Sequence, residues 1–271
     1  ILDEIQRTPE IFSYLQQILD ETERNGLFIL TGSNNFLLQE NISQSLAGRI
    51  AYLFLSPLSL EETSDKHLSP NELMLKGGYP TLYKGSTDTG RFYTNYIRTY
   101  IERDVRLLKN IVNLSAFERF LRLCAGRIGQ LLNMNSLSIE VGVDNKTISS
   151  WLSVLEASFI LFRLQPFHQN YNKRIVKMPK LYFYDTGLAL YLLGVESSEQ
   201  LSYHPFRGNL FENMIIVEFL KKRFNTGKES NLYFWRNNVG NEIDLIIDGV
   251  NPIPIEIKSG QTITTDFYKG L

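Results

Sequence analysis

Residues 241–260, NEIDLIIDGVNPIPIEIKSG, limit what this chain can fold into more than any other stretch. Ile243, Leu245 and Ile247 alternate with Glu242, Asp244 and Ile246, and further on Ile255 and Ile257 alternate with Glu256 and Lys258. A period of two predicts a pair of half-buried strands. Asp248-Gly249 supplies turn chemistry between them, and Pro252 and Pro254 fall where the second strand begins. Glu256 and Lys258 are two apart and share a face, and ordinary hairpin pairing brings Asp244 close to them across the ladder. Two carboxylates and an ammonium then converge. Such a group suits Mg²⁺, which prefers hard oxygen ligands, with the lysine helping to deprotonate a water or to stabilise a pentavalent phosphate.

An Asp, an eleven-residue spacer and Glu-x-Lys resemble the PD-(D/E)XK motif of Holliday-junction resolvases and restriction endonucleases. The resemblance implies a restriction-endonuclease-like α/β domain. Asp244 and Glu256 would be its metal ligands, and Lys258 would activate water. The family adds a Glu on the helix before the hairpin. Gly208-Asn209-Leu210-Phe211-Glu212 opens an amphipathic helix running to about Arg223, so Glu212 takes that position, placing a second ion or water, with Glu218 as second choice. Ile243 stands where the family often has Pro. Leu232-Tyr233-Phe234-Trp235-Arg236 reads as a further strand that sets Trp235 beside the site. The plainer reading of Glu-x-Lys is a solvated strand face.

A chain of 271 residues suits two or three domains, and 43% hydrophobic residues can bury cores for them. The single cysteine, Cys124, excludes a disulfide framework and a Cys-based zinc site, and its helical context predicts a buried thiol. No apolar run is long enough for a membrane span and no signal-peptide pattern opens the chain, so a cytoplasmic protein without a membrane partner is expected. Nine acidic against three basic residues give −6 over residues 1–62, whereas eight basic against three acidic give +5 over residues 91–127. Residues 159–182 hold five Lys/Arg and no acid. Segregated charge favours a polyanionic partner for the basic parts.

The chain begins with Ile1-Leu2-Asp3-Glu4, an apolar run ending in two acids. Residues 27–34, LFILTGSN, are a second apolar strand ending in small polar groups, and between the two Ile11, Tyr14, Leu15, Ile18 and Leu19 have helical spacing. This is a strand–helix–strand unit of a parallel sheet with polar groups at the carboxyl ends, where ligands bind. It resembles the Walker B and sensor 1 strands of AAA+ ATPases. There Asp3 would hold Mg²⁺ through water, Glu4 would polarise the attacking water, and Asn34 or Ser33 would contact the γ-phosphate of ATP. Gly48-Arg49 followed by Pro57-Leu58-Ser59 and Glu61-Glu62 is similar to the bacterial and archaeal AAA-type ATPases that carry a C-terminal domain of unknown function. Arg49 would be an arginine finger or sensor in a homo-oligomer, or else a surface arginine ending a helix. No G-x-x-x-x-G-K-[ST] occurs in these 271 residues. The chain is therefore expected to be a truncated piece that does not hydrolyse ATP as it stands.

Gly77-Gly78-Tyr79-Pro80 breaks the following connector, and residues 91–105 are helical by period with Phe92, Tyr96 and Tyr100 on one stripe. Residues 115–126 and 136–141 predict two helices, Gly142-Val143-Asp144 a turn, and Asn145 the cap of a third helix to Ala157. This is a helix-turn-helix pattern, and strands at 159–165 and 181–184 make it winged. Against DNA, Lys146, Thr147, Ser149 and Ser150 would face the major groove, and Lys173 and Arg174 of the wing loop would reach phosphate or minor groove. Docking of protein to protein is the other use of such a module.

Together these readings give an α/β multi-domain protein. Residues 1–62 would be a partial P-loop-type parallel α/β remnant, 63–114 a helical lid or linker, 115–184 a winged helix-turn-helix, and 185–271 the nuclease-like domain. The expected whole is an ATP-binding, DNA-associated AAA-type ATPase with a Mg²⁺-dependent nuclease-like site. The alternative is a non-catalytic, nucleotide-switched DNA- or protein-binding module on a degenerate nuclease fold.

Overall fold

The computed structural model describes residues 1–22, 24–32, 46–100, 111, 113–168, 178–237 and 239–260. It divides into two compact units, residues 1–53 and 54–271. Asn34, Ser33, Lys173 and Arg174 lie outside the described residues, as do the last five residues of the helix read over 91–105.

In the first unit, Leu2 and Leu30 meet in a parallel bridge, with Leu2 N–H donating to Ile29 O at 2.8 Å and Thr31 N–H donating to Leu2 O at 2.9 Å. Helix α1 (Ile11–Asp20) buries Phe12 and Leu15, which close a small core with Ile5 and Leu46. Tyr14 and Ile18, expected on the buried face, are 68% and 43% exposed. Phe12, skipped in the spacing argument, turns the apolar stripe towards Ile11, Phe12, Leu15 and Leu19 and leaves Tyr14 and Ile18 on its flank.

The second unit carries α2 (Pro70–Lys76), α3 (Thr89–Tyr96), α4 (Leu114–Ala125), α5 (Met134–Val141) and α6 (Asn145–Ala157) before its first strand. Strands β1 (Leu161–Pro166) and β2 (Lys180–Phe183) follow, then α7 (Thr186–Leu192), α8 (Ser198–Ser202) and α9 (Arg207–Asn225). The remaining strands are β3 (Leu232–Arg236), β4 (Glu242–Ile247) and β5 (Ile253–Ile255). Helix α6 is capped by Asp144, which accepts from Thr147 N–H at 2.7 Å, and Asn145 instead turns its side chain to Asn135. An aspartate one residue earlier can reach the amide three positions on, which is the geometry a cap needs. Gly142 (φ +80°) ends α5 in the left-handed conformation that favours glycine.

All five strands form one sheet, ordered β2-β1-β3-β4-β5. β1 pairs antiparallel with β2 and parallel with β3, through Gln165↔Tyr233 and Pro166↔Phe234. The outer edge of β2 is taken by the chain between α4 and α5, where Gly129 N–H donates to Leu181 O at 2.9 Å and Leu132 N–H to Pro179 O at 2.8 Å. One continuous apolar core runs from Met74 through Trp151, Phe183 and Leu220 to Leu245, so the helices before β1 and the hairpin after β3 share the same interior.

The Gly77-Gly78 break has a clear packing reason. Asp185, which caps α7 and is 3% exposed, accepts from Gly78 N–H at 2.7 Å, Tyr93 O–H at 2.6 Å and Leu188 N–H at 2.8 Å. Tyr93, not the neighbouring stripe of Phe92, Tyr96 and Tyr100, is the fully buried ring of α3, and Tyr79 fills the space between Phe92 and Tyr96. Burial and the Asp185 charge push the Tyr93 phenol well above its ordinary pKa. Cys124 is buried, and its thiol is likewise pushed up by burial. Among the described residues no helix is long and apolar enough to cross a membrane.

Candidate functional site

β4 and β5 pair antiparallel with Leu245↔Ile255 and Ile247↔Ile253, so residues 248–252, with Asp248-Gly249 among them, form a five-residue connection. Carried one step further, this register sets Asp244 opposite Glu256, on one face of the hairpin. The face is only partly solvated, with Lys258 exposed, Glu256 half-buried and Asp244 covered. Asp244 is 8% exposed, and its neighbours Leu245 and Ile246 are buried as well, because both sides of β4 are covered.

Asp244 Oδ2 accepts from Ile257 N–H at 2.8 Å and lies 3.3 Å from Lys258 Nζ. Lys258 also reaches Glu256 Oε2 at 2.6 Å. The other oxygen of Glu256, Oε1, is buried and has no hydrogen-bond donor among the described residues. Burial and then the charge of Asp244 raise the Glu256 carboxyl above the ordinary glutamate range, against the pull of the Lys258 bond. For Lys258, burial pulls downward but is outweighed by Glu256 and Asp244, and the ammonium is held above its usual value.

Glu212 projects from α9 into a second cluster beside the first. Its Oε1 accepts from Tyr182 O–H at 2.5 Å and sits 3.2 Å from Lys180 Nζ. Lys180 also forms a close ion pair with Glu242, which in turn lies 3.4 Å from Arg236. Burial, with the Asp244 charge adding to it, raises the Glu212 carboxyl, although Lys180 and Tyr182 both pull it down. The two clusters therefore feel each other, and they put four carboxylates and two ammoniums on one side of the sheet. Glu218, the second choice, faces elsewhere: it accepts from Leu60 N–H at 2.7 Å and pairs with Lys221 at 2.8 Å. Trp235 pairs with Ile243 and so points to the opposite face from Glu242 and Asp244.

The donor chemistry fits a divalent ion at Asp244 and Glu256, which offer adjacent carboxylates, one of them with a buried oxygen that no described residue donates to. Among the described residues no three His, Cys, Asp or Glu side chains form a ready ion cage. Lys180, Tyr182 and Glu242 were not anticipated. Lys180 in an otherwise apolar strand, KLYF, is the signal that would have found the first two, since a buried lysine needs a carboxylate partner.

The raised carboxyls set a sign for pH dependence. A folded-state pKa above the unfolded one means that the folded chain holds protons the unfolded chain releases. Stability from Glu212 and Glu256 is thus fully present below the ordinary glutamate pKa of about 4.3 and is lost as pH rises through their raised values. Asp244→Asn removes the charge that helps raise Glu256. Its carboxyl then titrates at lower pH, a shift read directly from ¹³C-carboxyl NMR, and an unchanged titration would show that Asp244 does not act on it.

In the first unit, Thr31 O–H donates to Asp3, and Glu4 takes a left-handed φ of +52° with Arg7 3.6 Å away. A positive φ is uncommon for a residue with a side chain. Arg49 is turned to Asp20 of α1, at 2.6 Å. On the proposed DNA face Lys146 and Ser149 are exposed, and Thr147 and Ser150 are half-buried.

Residues 1–64 match the model of the AAA domain, which supports an AAA-type ATPase-like family. Two domains of unknown function match the rest, DUF8612 over residues 69–199 and DUF4143 over residues 207–271. Among curated relatives, an uncharacterized protein of Mycobacterium tuberculosis is 28% identical over 264 residues, 96% of this chain and 58% of its own length. An uncharacterized protein of Methanocaldococcus jannaschii is 24% identical over 288 residues, 94% of this chain and 59% of its own. One from Haemophilus influenzae is 22% identical over 214 residues, 72% and 51%. The chain thus spans little more than half the length of these relatives. No solved structure matches it.

Proposed function

We propose that this chain is part of a DNA-associated AAA-type ATPase whose β4–β5 hairpin carries a Mg²⁺-dependent phosphodiesterase site. The observation that carries the reading is the meeting of Asp244, Glu256 and Lys258, with one oxygen of Glu256 buried and undonated to among the described residues. Asp244 and Glu256 would hold the ion. When bound, it supplies Lewis-acid polarisation of a phosphate and lowers the pKa of a water. Lys258 keeps its ammonium charge and is placed to donate to a phosphate oxygen as negative charge builds there. Nicking of supercoiled plasmid in Mg²⁺ or Mn²⁺ tests this. Asp244→Ala is expected to abolish nicking, and activity undiminished in that variant would sink the proposal.

For DNA, the exposed Lys146 and Ser149, with Thr147 and Ser150 beside them, support a winged-helix contact by α6, extended by Lys173 and Arg174. Each phosphate contact adds about one unit to the slope of log affinity against log salt. A slope near zero leaves only protein docking. In the whole protein Asp3 and Glu4 would serve ATP and its Mg²⁺, with Asn34 at the γ-phosphate and Arg49 leaving Asp20 to act across a homo-oligomer interface.

One observation favours the second reading, a nuclease-like scaffold without chemistry. Glu212 is already engaged by Lys180 and Tyr182. An inert plasmid at every divalent ion tried, together with salt-dependent DNA binding, would establish that reading.

A further inference from the structure

We propose that Lys180 is a positioning residue of the hairpin site, fixing Glu212 beside the Asp244–Glu256 pair from β2. Its catalytic consequence rests on the phosphodiesterase reading above; the positioning itself rests on geometry alone. Lys180 is 2% exposed, and a lysine so buried is held only by partners that repay its desolvation. Among the described residues it has two, Glu212 on α9 and Glu242 on β4, and its Nζ lies 5.5 Å from the centre of the Phe234 ring on β3. Three elements distant in sequence are thereby tied to one ammonium.

Tyr182 lies two residues along β2 and so on the same face as Lys180. Its hydroxyl donates to the same oxygen, Oε1, that Lys180 approaches. Among the described residues both donors converge on Oε1, and none donates to Oε2. Gly129 packs its backbone against the Glu212 carboxylate. A Cβ there would sit 3.6 Å from both Glu212 oxygens and 3.0 Å from Asn209 Nδ2, and its φ of +72° disfavours any side chain. Glu212 is therefore oriented through one oxygen by two donors from one strand, as expected of a group whose position matters more than its exposure.

The test uses the full chain, supercoiled plasmid and Mn²⁺. Lys180→Met is expected to slow nicking at saturating DNA and metal by between about 10- and 100-fold, the cost of a misplaced group. The DNA concentration for half-maximal rate should stay within about twofold, because Lys180 is buried and touches no substrate. Lys180→Arg, which keeps the charge, should recover most of the rate, whereas loss of a simple packing contact would not be rescued. Tyr182→Phe removes one hydroxyl and carries the same test with a smaller, several-fold loss should Lys180→Met fail to fold. Carbodiimide labelling followed by mass spectrometry gives a readout independent of turnover: Glu212 should be protected in the wild type and in Lys180→Arg and modified in Lys180→Met. Wild-type rates in Lys180→Met, a loss of DNA affinity in place of rate, or equal labelling of Glu212 in all variants would each overturn the proposal. A wild-type protein that never nicks DNA would remove the phosphodiesterase reading, and the labelling would still decide whether Lys180 holds Glu212.

Discussion

Gly77→Ala is expected to lower the melting temperature of the chain by roughly 10 °C. Gly77 has φ +70° and ψ −166°, a conformation open almost only to glycine, and a Cβ there would come within 2.5 Å of both carboxylate oxygens of Asp185. The backbone strain costs about 1–3 kcal/mol and the overpacking about as much again. The Tyr93 hydroxyl, closer still to that Cβ, is the other neighbour, and neither can yield cheaply, since Asp185 already serves Gly78, Tyr93 and Leu188. Gly85→Ala separates the two contributions: its φ is +75°, but nothing lies within 4 Å of the added Cβ, so only the backbone strain remains. Thermal unfolding by circular dichroism checks both, and equal shifts in the two variants would mean that the Asp185 contact does not matter.

The second large effect is expected at Lys221, which is 6% exposed and donates to Leu58 O and to Glu218, each at 2.8 Å. Lys221→Met leaves the Glu218 carboxylate without its counter-charge, and removing one partner of a buried ion pair costs about 3–5 kcal/mol. Glu218→Gln in the same chain keeps an acceptor for Leu60 N–H while discarding the stranded charge, so the double variant should be more stable than Lys221→Met alone. Chemical denaturation of the four proteins in that cycle measures the coupling. A coupling near zero would show that the pair is solvated and unimportant.

Local patterns carried much of this fold. The period-two run at 242–247 and the bounds of β3 follow from side-chain alternation, and the three helices before β1 follow from apolar spacing and from glycine at the turn. The meeting of Asp244, Glu256 and Lys258 is readable because antiparallel register is fixed over a dozen residues. What spacing does not carry is pairing at long range. β1 meets β3 across more than sixty residues, and no feature of LFRLQP names its partner. Lys180 and Glu212 are likewise 32 residues apart, and Glu242 reads in isolation as the polar start of a strand. Tyr14 and Ile18 were misplaced for a different reason: a helix of ten residues offers several overlapping stripes, and Phe12 decides among them.

β1 has two roles, as one arm of the hairpin with β2 and as the neighbour of β3, and Phe167 N–H extends the junction by donating to Phe234 O. Twisting the hairpin away from the acidic face would rupture this backbone seam, so no hinge exists there. Amide protons of Leu181, Tyr233 and Ile246 should accordingly exchange with deuterium through a single cooperative opening, at one common free energy.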